Sequence, residues 1–271
     1  MTQTRRTPSA MTIAGSDSGG GAGIQADLKT FAALGVYGTA ALTAITAQNT
    51  VAVTAVHEIP VDIIAAQIQA VASDIGADSL KTGMLSSSAI IECVADSLSV
   101  LPAVRNLVVD PVMVAKSGDS LLREEAVSTL KAKLLPLAAV VTPNIPEAET
   151  LTGMTIKTDD DVMEAARAIV AMGARSVVVK GGHREGPATD LYFDGSNFQE
   201  FSSPRFETVN THGTGCTFAS SVAAGLAKGL EVENAIGQAK EFVTEAIRTS
   251  FPIGQGHGPL NHFHRFWPAN T

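Results

Sequence analysis

The residues best suited to chemistry in this chain are Thr-His-Gly-Thr-Gly-Cys-Thr at 211–217, which run directly into an alanine-rich segment at 218–228. A glycine-rich turn that opens into a helix directs unpaired backbone N–H groups, and the positive end of the helix dipole, at one point. Gly213, Thr214 and Gly215 therefore predict a binding site for an anion. Cys216 lies in the same positive field, which favours its thiolate, so we expect a nucleophile or base beside the anion.

Polar side chains also follow other predicted strands at the point where each strand ends, and ligands bind at this edge of open α/β sheets. Asp110, Asn144 and Glu147 supply oxygen atoms of the kind that Mg²⁺ accepts directly or through water. Lys180 adds a cation that can pair with phosphate oxygens. The loop at 115–119 belongs to the same candidate edge. The alternatives are a helix cap for Asn144 and a solvated strand end for Lys180.

A glycine-rich loop at 15–23 follows the first predicted strand and precedes a helix. Gly21, Gly23 and Ala26 satisfy the loose dinucleotide-binding pattern, but the acidic residue expected about 20 positions later is absent. A nicotinamide-dependent oxidoreductase stays an alternative, as does a surface turn without a ligand. Gln48 ends the second predicted strand, and its amide offers the donor and acceptor that suit the edge of a heterocyclic ring. A P-loop sequence is absent, so an ordinary P-loop enzyme is excluded.

The two cysteines have different surroundings in the sequence. Cys93 lies on the apolar stripe of a predicted helix, which favours core packing. Cys216 allows a cysteine hydrolase as a further alternative, but no histidine has a spacing that identifies it as the partner. His257, His262 and His264 cluster near the C-terminus among aromatic residues, a pattern more typical of a packed tail than of a metal site.

Strand and helix patterns alternate along the chain and place the candidate residues at strand ends. Apolar runs predict strands at 10–14, 37–46, 51–59, 79–82, 107–110, 139–142 and 176–180, the third of them exposed. Helical spacing predicts helices at 24–34, 61–75, 86–98, 123–134, 160–172 and 218–228, the fifth capped by an aspartate. A polar hairpin is predicted at 189–194 and 197–201. Repeated βα units imply a mainly parallel sheet with helices on both faces.

Composition limits the kind of protein that can surround these residues. The 271 residues are 45% hydrophobic and 17% charged, which predicts a single α/β domain at 1–271 with a disordered segment at 1–9. The net charge of -8 argues against nucleic-acid and acidic-membrane partners. Neither an apolar run of about 18 residues nor a signal peptide is present, so no membrane span is expected. Two cysteines without a disulfide or zinc pattern favour the cytoplasm.

Taken in order, these motifs resemble the hydroxymethylpyrimidine and phosphomethylpyrimidine kinases of thiamine biosynthesis, within the ribokinase-like superfamily. The matching segments are 12–18, 21–30, 47–50, 81–85, 142–144, 211–217 and 258–264. The resemblance implies a ribokinase-like three-layer α/β/α fold with a mainly parallel central sheet and a small polar β-hairpin or flap. It also implies ATP-dependent phosphorylation of 4-amino-5-hydroxymethyl-2-methylpyrimidine to its monophosphate and then to the diphosphate. The superfamily usually has aspartate where this chain has Cys216, which is typical of the pyrimidine kinase branch.

The resemblance implies roles for individual residues as well. Those that would line the pyrimidine pocket are Gly15, Asp27, Gln48 and Met84. Those that would form the phosphoryl-transfer centre are Gly213, Thr214, Gly215 and Cys216, the last as the base. Those that would lie near the ATP phosphates are Lys180, Thr211 and Asp110. Asn144 and Glu147 would contact Mg²⁺ through water.

The resemblance further implies a cytoplasmic homodimer that binds ATP, Mg²⁺ and a small pyrimidine, with a monovalent cation as a further candidate cofactor. The exposed strand at 51–59 and the polar hairpin are the candidates for a subunit contact or a lid. Pyridoxal also carries a hydroxymethyl group on a six-membered heterocycle, and relatives of the family phosphorylate it. A pyridoxal or pyridoxine kinase is therefore the alternative within the same superfamily.

Overall fold

The strand β1 (Ser9–Asp17) crosses the middle of the protein and is buried on both faces, as its small and apolar residues dictate. It pairs in parallel with β2 (Tyr37–Gln48) on one side and with β4 (Ser79–Thr82) on the other. The chain therefore changes direction across the sheet at β1, and such a switch point opens a crevice beyond the carboxyl ends of the strands. The computed structural model describes residues 7–114, 121–181 and 186–267, so the candidate loop at 115–119 and residues 1–6 lie outside the described residues.

The strands of the described residues form one mixed sheet in the order β3-β2-β1-β4-β5-β6-β7-β8-β9. Besides the three strands already named, they are β3 (Val53–Glu58), β5 (Leu107–Val109), β6 (Val140–Val141), β7 (Val177–Val179), β8 (Ala188–Phe193) and β9 (Phe198–Ser203). Three of the eight strand pairings among the described residues are antiparallel, namely β2–β3, β7–β8 and β8–β9. The prediction of a mainly parallel sheet is confirmed.

Helices cover both faces of the sheet. Those of the described residues are α1 (Gly23–Ala33), α2 (Val61–Asp74), α3 (Ser88–Ser99), α4 (Glu124–Thr129), α5 (Ile145–Thr152), α6 (Asp159–Ala171), α7 (Thr214–Ala227) and α8 (Val232–Arg248). Phe31 and Phe242 belong to the core under α1, α7 and α8, whereas Ile64 and Leu151 belong to the core under α2 to α6. This confirms the three-layer α/β/α fold. Each helix in these ranges is too short or too polar to cross a membrane.

Sheet pairing extends β1 at both ends beyond the predicted strand. A bulge between Ala14 and Ser16 keeps β1 paired with β2 after Gly15, so the strand continues to Asp17. At the other end β1 begins with Ser9, which was predicted to belong to a disordered segment. Glycine is a local stop signal, but the hydrogen bonds of a neighbouring strand outweigh it here.

Two predicted helices differ in detail from the observed ones. The helix predicted at 123–134 is α-helical only over its first half and continues as a π-helical turn, Leu130–Leu134, and a 3₁₀ turn, Leu135–Leu137. Pro136 lacks a backbone N–H and cannot continue the α-helical bonding. The cap of α6 is Thr158 and not an aspartate, because the Thr158 hydroxyl accepts a hydrogen bond from the N–H of Asp161 at 3.2 Å.

The last third of the chain holds an element that the sequence patterns did not predict. α8 follows α7 directly, and its buried face combines small residues such as Ala235 and Ala239 with large apolar ones such as Ile236 and Phe242. The helical spacing of these residues was a signal that could have identified the helix. The predicted polar hairpin is present as β8 and β9, and because β8 pairs with β7 it extends the sheet. Both elements form a wall of the crevice described next.

Candidate active site

A cavity of about 690 Å³ lies beyond the carboxyl ends of the parallel strands. Every residue predicted for the site lines it except Asp27, namely Gly15, Gln48, Met84, Asp110, Asn144, Glu147, Lys180, Thr211, Gly213, Thr214, Gly215 and Cys216. These residues are widely separated in the sequence. They lie close together because the carboxyl ends of parallel strands meet at one edge of the sheet. The sheet topology therefore assembles the predicted site.

The turn at 211–216, called the anion turn below, leads into α7. Gly213 is the N-cap of this helix and has a φ of 85°, in the left-handed region that favours glycine. A Cβ atom at this position would also overlap the carbonyl oxygen of Gly21. In the first turn of a helix the N–H groups have no intrahelical acceptor, so those of Gly215 and Cys216 are available to an anion.

A cluster of charges lies beside the anion turn. Nζ of Lys180 is 3.2 Å from Oδ1 of Asp110, and a Cβ atom on Gly215 would lie 3.3 Å from the same nitrogen. Burial opposes the charge of Lys180, but the carboxylates of Asp110 and Glu147 outweigh it and raise the lysine pKa. Oδ2 of Asp110 is buried and has no hydrogen-bond partner among the described residues. An anion at the turn would meet the lysine, while Asp110 keeps an oxygen for a cation.

The side chains of Asn144 and Glu147 cap α5. Oδ1 of Asn144 accepts a hydrogen bond from the N–H of Glu147 at 2.9 Å, and Oε2 of Glu147 accepts one from the N–H of Asn144 at 2.7 Å. This capping box confirms the alternative that the sequence left open for Asn144. Burial raises the pKa of Glu147 to about 7, although Lys180 acts in the opposite direction. Contact of these two residues with Mg²⁺ through water stays a prediction.

The wall opposite the charges carries Gly15, Gln48 and Met84. The side-chain oxygen of Gln48 lies 3.2 Å from the Thr46 hydroxyl, whose single hydrogen has a shorter contact with the carbonyl oxygen of Ser16 at 2.7 Å, so the Gln48 amide keeps its donor and acceptor for a ligand. A Cβ atom on Gly15 would lie 3.0 Å from the sulfur of Met84, so glycine leaves room for this side chain. An amide beside a thioether suits the edge and the face of a small aromatic ring.

Asp27 does not line the cavity, which corrects the prediction that it contacts a substrate. Its carboxylate is completely buried and accepts hydrogen bonds from Nζ of Lys81 at 2.9 and 3.0 Å. The hydroxyl groups of Thr12 and Ser220 donate to it at 2.6 and 2.5 Å. Lys81 lies in the buried strand β4 and does line the cavity, so Asp27 acts on the site through Lys81. Lysine is rare in buried strands, and this was the signal that could have identified it.

Cys216 lies in the predicted place but in a different protonation state. Burial raises the pKa of its thiol to about 12, and the positive charge of Lys81 offsets only part of that rise. Asp27 and Asp110 add negative charge nearby, which disfavours the thiolate further. The prediction that the helix N-terminus yields a thiolate is therefore wrong for this state, because loss of water around the sulfur dominates. At neutral pH the site holds a thiol.

Several residues of the cavity were not predicted. Asp17 and His212 line its inner end and contact each other. Asp17 comes shortly after the first predicted strand, in the glycine-rich loop. An acidic residue at this position could have been recognised in the sequence as a candidate site residue. Lys240 of α8 lies 2.8 Å from Asp190 of β8, and both line the wall between α8 and the hairpin. No local pattern marks this pair, because its position depends on how α8 packs against the sheet.

Comparisons with known proteins identify the family of this chain. The chain matches the family model of phosphomethylpyrimidine kinase over residues 17–261. The hydroxymethylpyrimidine/phosphomethylpyrimidine kinase of Bacillus subtilis (strain 168) is 53% identical over 256 residues, which cover 94% of each chain. The thiamine biosynthesis bifunctional protein ThiED of Geobacter sulfurreducens is 54% identical over 263 residues, which cover 95% of this chain and 54% of that protein. The chain thus spans about half the length of this second relative.

A solved structure is similar over the same extent. The ADP complex of Bacillus subtilis pyridoxal kinase has a TM-score of 0.87 and 46% sequence identity, and the match covers 95% of this chain and 98% of that chain. Neither a nicotinamide-dependent oxidoreductase nor a cysteine hydrolase finds support in these matches. The anion turn and the glycine-rich loop before α1 both lie at least partly within the matched residues. The chain belongs to the phosphomethylpyrimidine kinase family.

Proposed function

We propose that this protein uses ATP to phosphorylate 4-amino-5-hydroxymethyl-2-methylpyrimidine to its monophosphate and then to its diphosphate, in thiamine diphosphate biosynthesis. The observation that carries the proposal is the position of the anion turn. It contacts the glycine-rich loop through Gly213 and Gly21 and lies beside Lys180 and Asp110 through Gly215, and Gln48 and Met84 line the same cavity. A pyrimidine at Gln48 and a nucleotide at Lys180 would meet beside Cys216. The Bacillus subtilis relative, which is named for both steps, supports this assignment.

The nucleotide is proposed to bind along the wall formed by α8 and the β8–β9 hairpin. Phe206, Val243 and Ile247 offer apolar surface there for a purine base. Lys180 supplies positive charge toward the phosphates, because it lies beside the anion turn. The ADP complex of the similar pyridoxal kinase supports a nucleotide in this fold.

Mg²⁺ is proposed to bind near Asp110 and Glu147. Oδ2 of Asp110 is buried without a partner among the described residues, and the capping box uses only one carboxylate oxygen of Glu147. In proteins Mg²⁺ commonly binds one or two carboxylates together with phosphate oxygens and water, and this donor set fits that pattern. A bound ion would neutralise charge on the nucleotide phosphates. Asn144 contributes by holding Glu147 in place.

The residues of the chain would act mainly by positioning the reactants and stabilising charge, as phosphoryl transfer requires. The N–H groups of Gly215 and Cys216, with the dipole of α7, would stabilise negative charge on the transferred group. Gln48 would hold the ring so that its hydroxymethyl group faces the anion turn. In the second step the acceptor is already an anionic phosphate, so no alcohol proton has to be removed.

ATP consumption measured side by side with the pyrimidine alcohol, its monophosphate and pyridoxal tests the proposed function. We expect turnover with both pyrimidines and a lower kcat/KM with pyridoxal. Pyridoxal kinase is the second candidate function because a pyridoxal kinase is among the similar solved structures. Preference for pyridoxal would establish that candidate instead, and no turnover with any of the three acceptors would refute both.

We propose that Cys216 acts as the base through its minor thiolate form. Its replacement by alanine should then slow the first transfer about a hundredfold at alkaline pH, where the thiolate forms, and the second far less. The thiol pKa of about 12 means that the thiolate fraction rises about tenfold per pH unit through the neutral range. The wild-type rate of the first transfer should therefore rise with pH, and the variant should lose this rise. Single-turnover rates across neutral and alkaline pH measure both effects.

The same substitution at Cys93 is the control, because Cys93 lies on α3 and does not line the cavity. It should leave both transfers and their pH profiles unchanged. Equal loss in the two transfers after Cys216→Ala would show that Cys216 is not a general base. A pH profile that is the same with and without the thiol would lead to the same conclusion.

We propose a homodimer in the cytoplasm. The strand β3 supports the dimer, because it lies at the end of the sheet formed by the described residues and carries exposed apolar side chains, and Val56 is 46% exposed. Both cysteines are free thiols, which supports a reducing compartment. Sedimentation velocity should give twice the chain mass of 28.0 kDa, and a single species at 28.0 kDa would rule out the dimer.

A further inference from the structure

Two loops meet at the inner end of the cavity, the glycine-rich loop at 15–23 and the anion turn. The two loops touch at two points, and each point requires a glycine. A Cβ atom on Gly213 would overlap the carbonyl oxygen of Gly21, and a Cβ atom on Gly21 would overlap the ring of His212. The two backbones therefore meet directly at Gly213 and Gly21, and the ring of His212 packs on Gly21 beside that contact.

One side-chain pair joins the loops across this contact. Oδ2 of Asp17 lies 2.8 Å from Nε2 of His212, and the two side chains are 3% and 11% exposed. Burial alone would raise the pKa of Asp17, but the hydrogen bonds from His212 and from the backbone of Ala22 and Gly19 lower it. An ionised carboxylate only accepts hydrogen bonds, so Nε2 of His212 carries the proton and donates it.

Each member of the pair is tied to its own loop. Asp17 accepts hydrogen bonds from the N–H groups of Gly19 at 2.8 Å, Gly21 at 3.0 Å and Ala22 at 2.8 Å, so one carboxylate holds the glycine-rich loop. The backbone N–H of His212 donates to the carbonyl oxygen of Gly258 at 3.1 Å. Movement of the Asp17 side chain would therefore move the glycine-rich loop, and the backbone that carries His212 is held at Gly258.

We propose that Asp17 and His212 are positioning residues that set the distance between the anion turn and the acceptor wall. His212 directly precedes Gly213, the N-cap of α7, and Asp17 follows Gly15 and Ser16, which line the acceptor wall. This inference rests on the proposed function, in which a phosphoryl group passes between these two sides. A displacement of about 1 Å costs on the order of a hundredfold in rate, whereas binding of each reactant alone depends less on the separation. The pair thus controls kcat more than KM.

Two substitutions of His212 test the proposal. His212→Leu removes the donor and keeps an apolar side chain, whereas His212→Gln offers an amide N–H that reaches about as far as Nε2. We expect His212→Leu to lower kcat of the first transfer by about a hundredfold while KM for ATP and for the acceptor change less than about threefold. His212→Gln should recover most of kcat. Thermal unfolding of both variants shows whether each is folded at the assay temperature.

The outcomes separate this inference from the proposed function. If the wild-type protein phosphorylates neither the pyrimidine alcohol nor pyridoxal, the function and the inference both fail. If the wild-type protein is active and His212→Leu keeps its kcat, only the inference fails. Equal loss of kcat in the leucine and glutamine variants, or a loss that follows their thermal stability, would mean that His212 is structural. Recovery by glutamine with unchanged KM supports the proposal.

Discussion

Replacement of Gly213 by alanine is expected to lower kcat of phosphoryl transfer by at least about a hundredfold, the scale seen when one donor is removed from an anion-stabilising site. Two features of the position combine to give this effect. The φ of 85° disfavours any residue with a Cβ atom, and that atom would overlap the carbonyl oxygen of Gly21. The turn would have to move, and the N–H groups of Gly215 and Cys216 would move with it. Steady-state kinetics and urea denaturation measure the two consequences.

Gly229 provides a matched control at the other end of α7. Its φ is 83°, nearly that of Gly213, but a Cβ atom there would meet nothing within 4 Å. Gly229→Ala should therefore lower stability by about 1 to 2 kcal/mol through backbone strain alone and leave kcat unchanged. If Gly213→Ala behaves like Gly229→Ala, the anion turn is not the centre of phosphoryl transfer.

Asp27→Asn is expected to lower the free energy of unfolding by about 3 to 5 kcal/mol, because it leaves the ammonium group of Lys81 buried without a counter-charge. Both side chains are completely buried, and their closest contact is 2.9 Å. Asparagine has nearly the same shape as aspartate and keeps an acceptor for Thr12 or Ser220. The loss would thus report the charge and not a cavity. Urea denaturation of the variant and of the wild-type protein gives the difference.

A double-mutant cycle measures how much of this loss in stability comes from the interaction between Asp27 and Lys81. Lys81→Met should also destabilise the protein, whereas Asp27→Asn combined with Lys81→Met should cost less than the sum of the two single changes. Glu245→Gln is the exposed comparison, since Glu245 and Arg248 form a surface pair at 2.8 Å, and its effect should stay below about 1 kcal/mol. Additive losses for Asp27 and Lys81 would contradict the coupling argued here.

The predicted elements and the observed ones agree best where the signal is local. The strand at 79–82 and the hairpin at 189–201 were predicted almost to the residue, because alternation and turn residues act over a few positions. Local patterns failed where distant contacts decide. β1 continues past Gly15 because β2 pairs with it.

The candidate site shows the same division for single residues. The glycines before Cys216 were enough to predict its position at the start of a helix. Its protonation state depends on burial by residues that are distant in the sequence. Asp27 was predicted to contact a ligand from its motif, yet its partner is Lys81, 54 positions away in the sequence. Conversely, a helix cap at Asn144 had been left open as an alternative to a metal contact, and the local sequence was enough to suggest it.

By itself the sequence determined the alternation of strands and helices, the glycine-rich turn that opens into a helix and the placement of polar residues at strand ends. Each of these depends on backbone preferences and hydrogen bonds within a few residues. Only the tertiary structure decided which of these residues line one cavity, that Cys216 is a thiol, and that Asp17 meets His212 across 195 positions. Burial and long-range pairing are properties of the folded sheet, because they arise only when distant strands share one edge and water is removed between them.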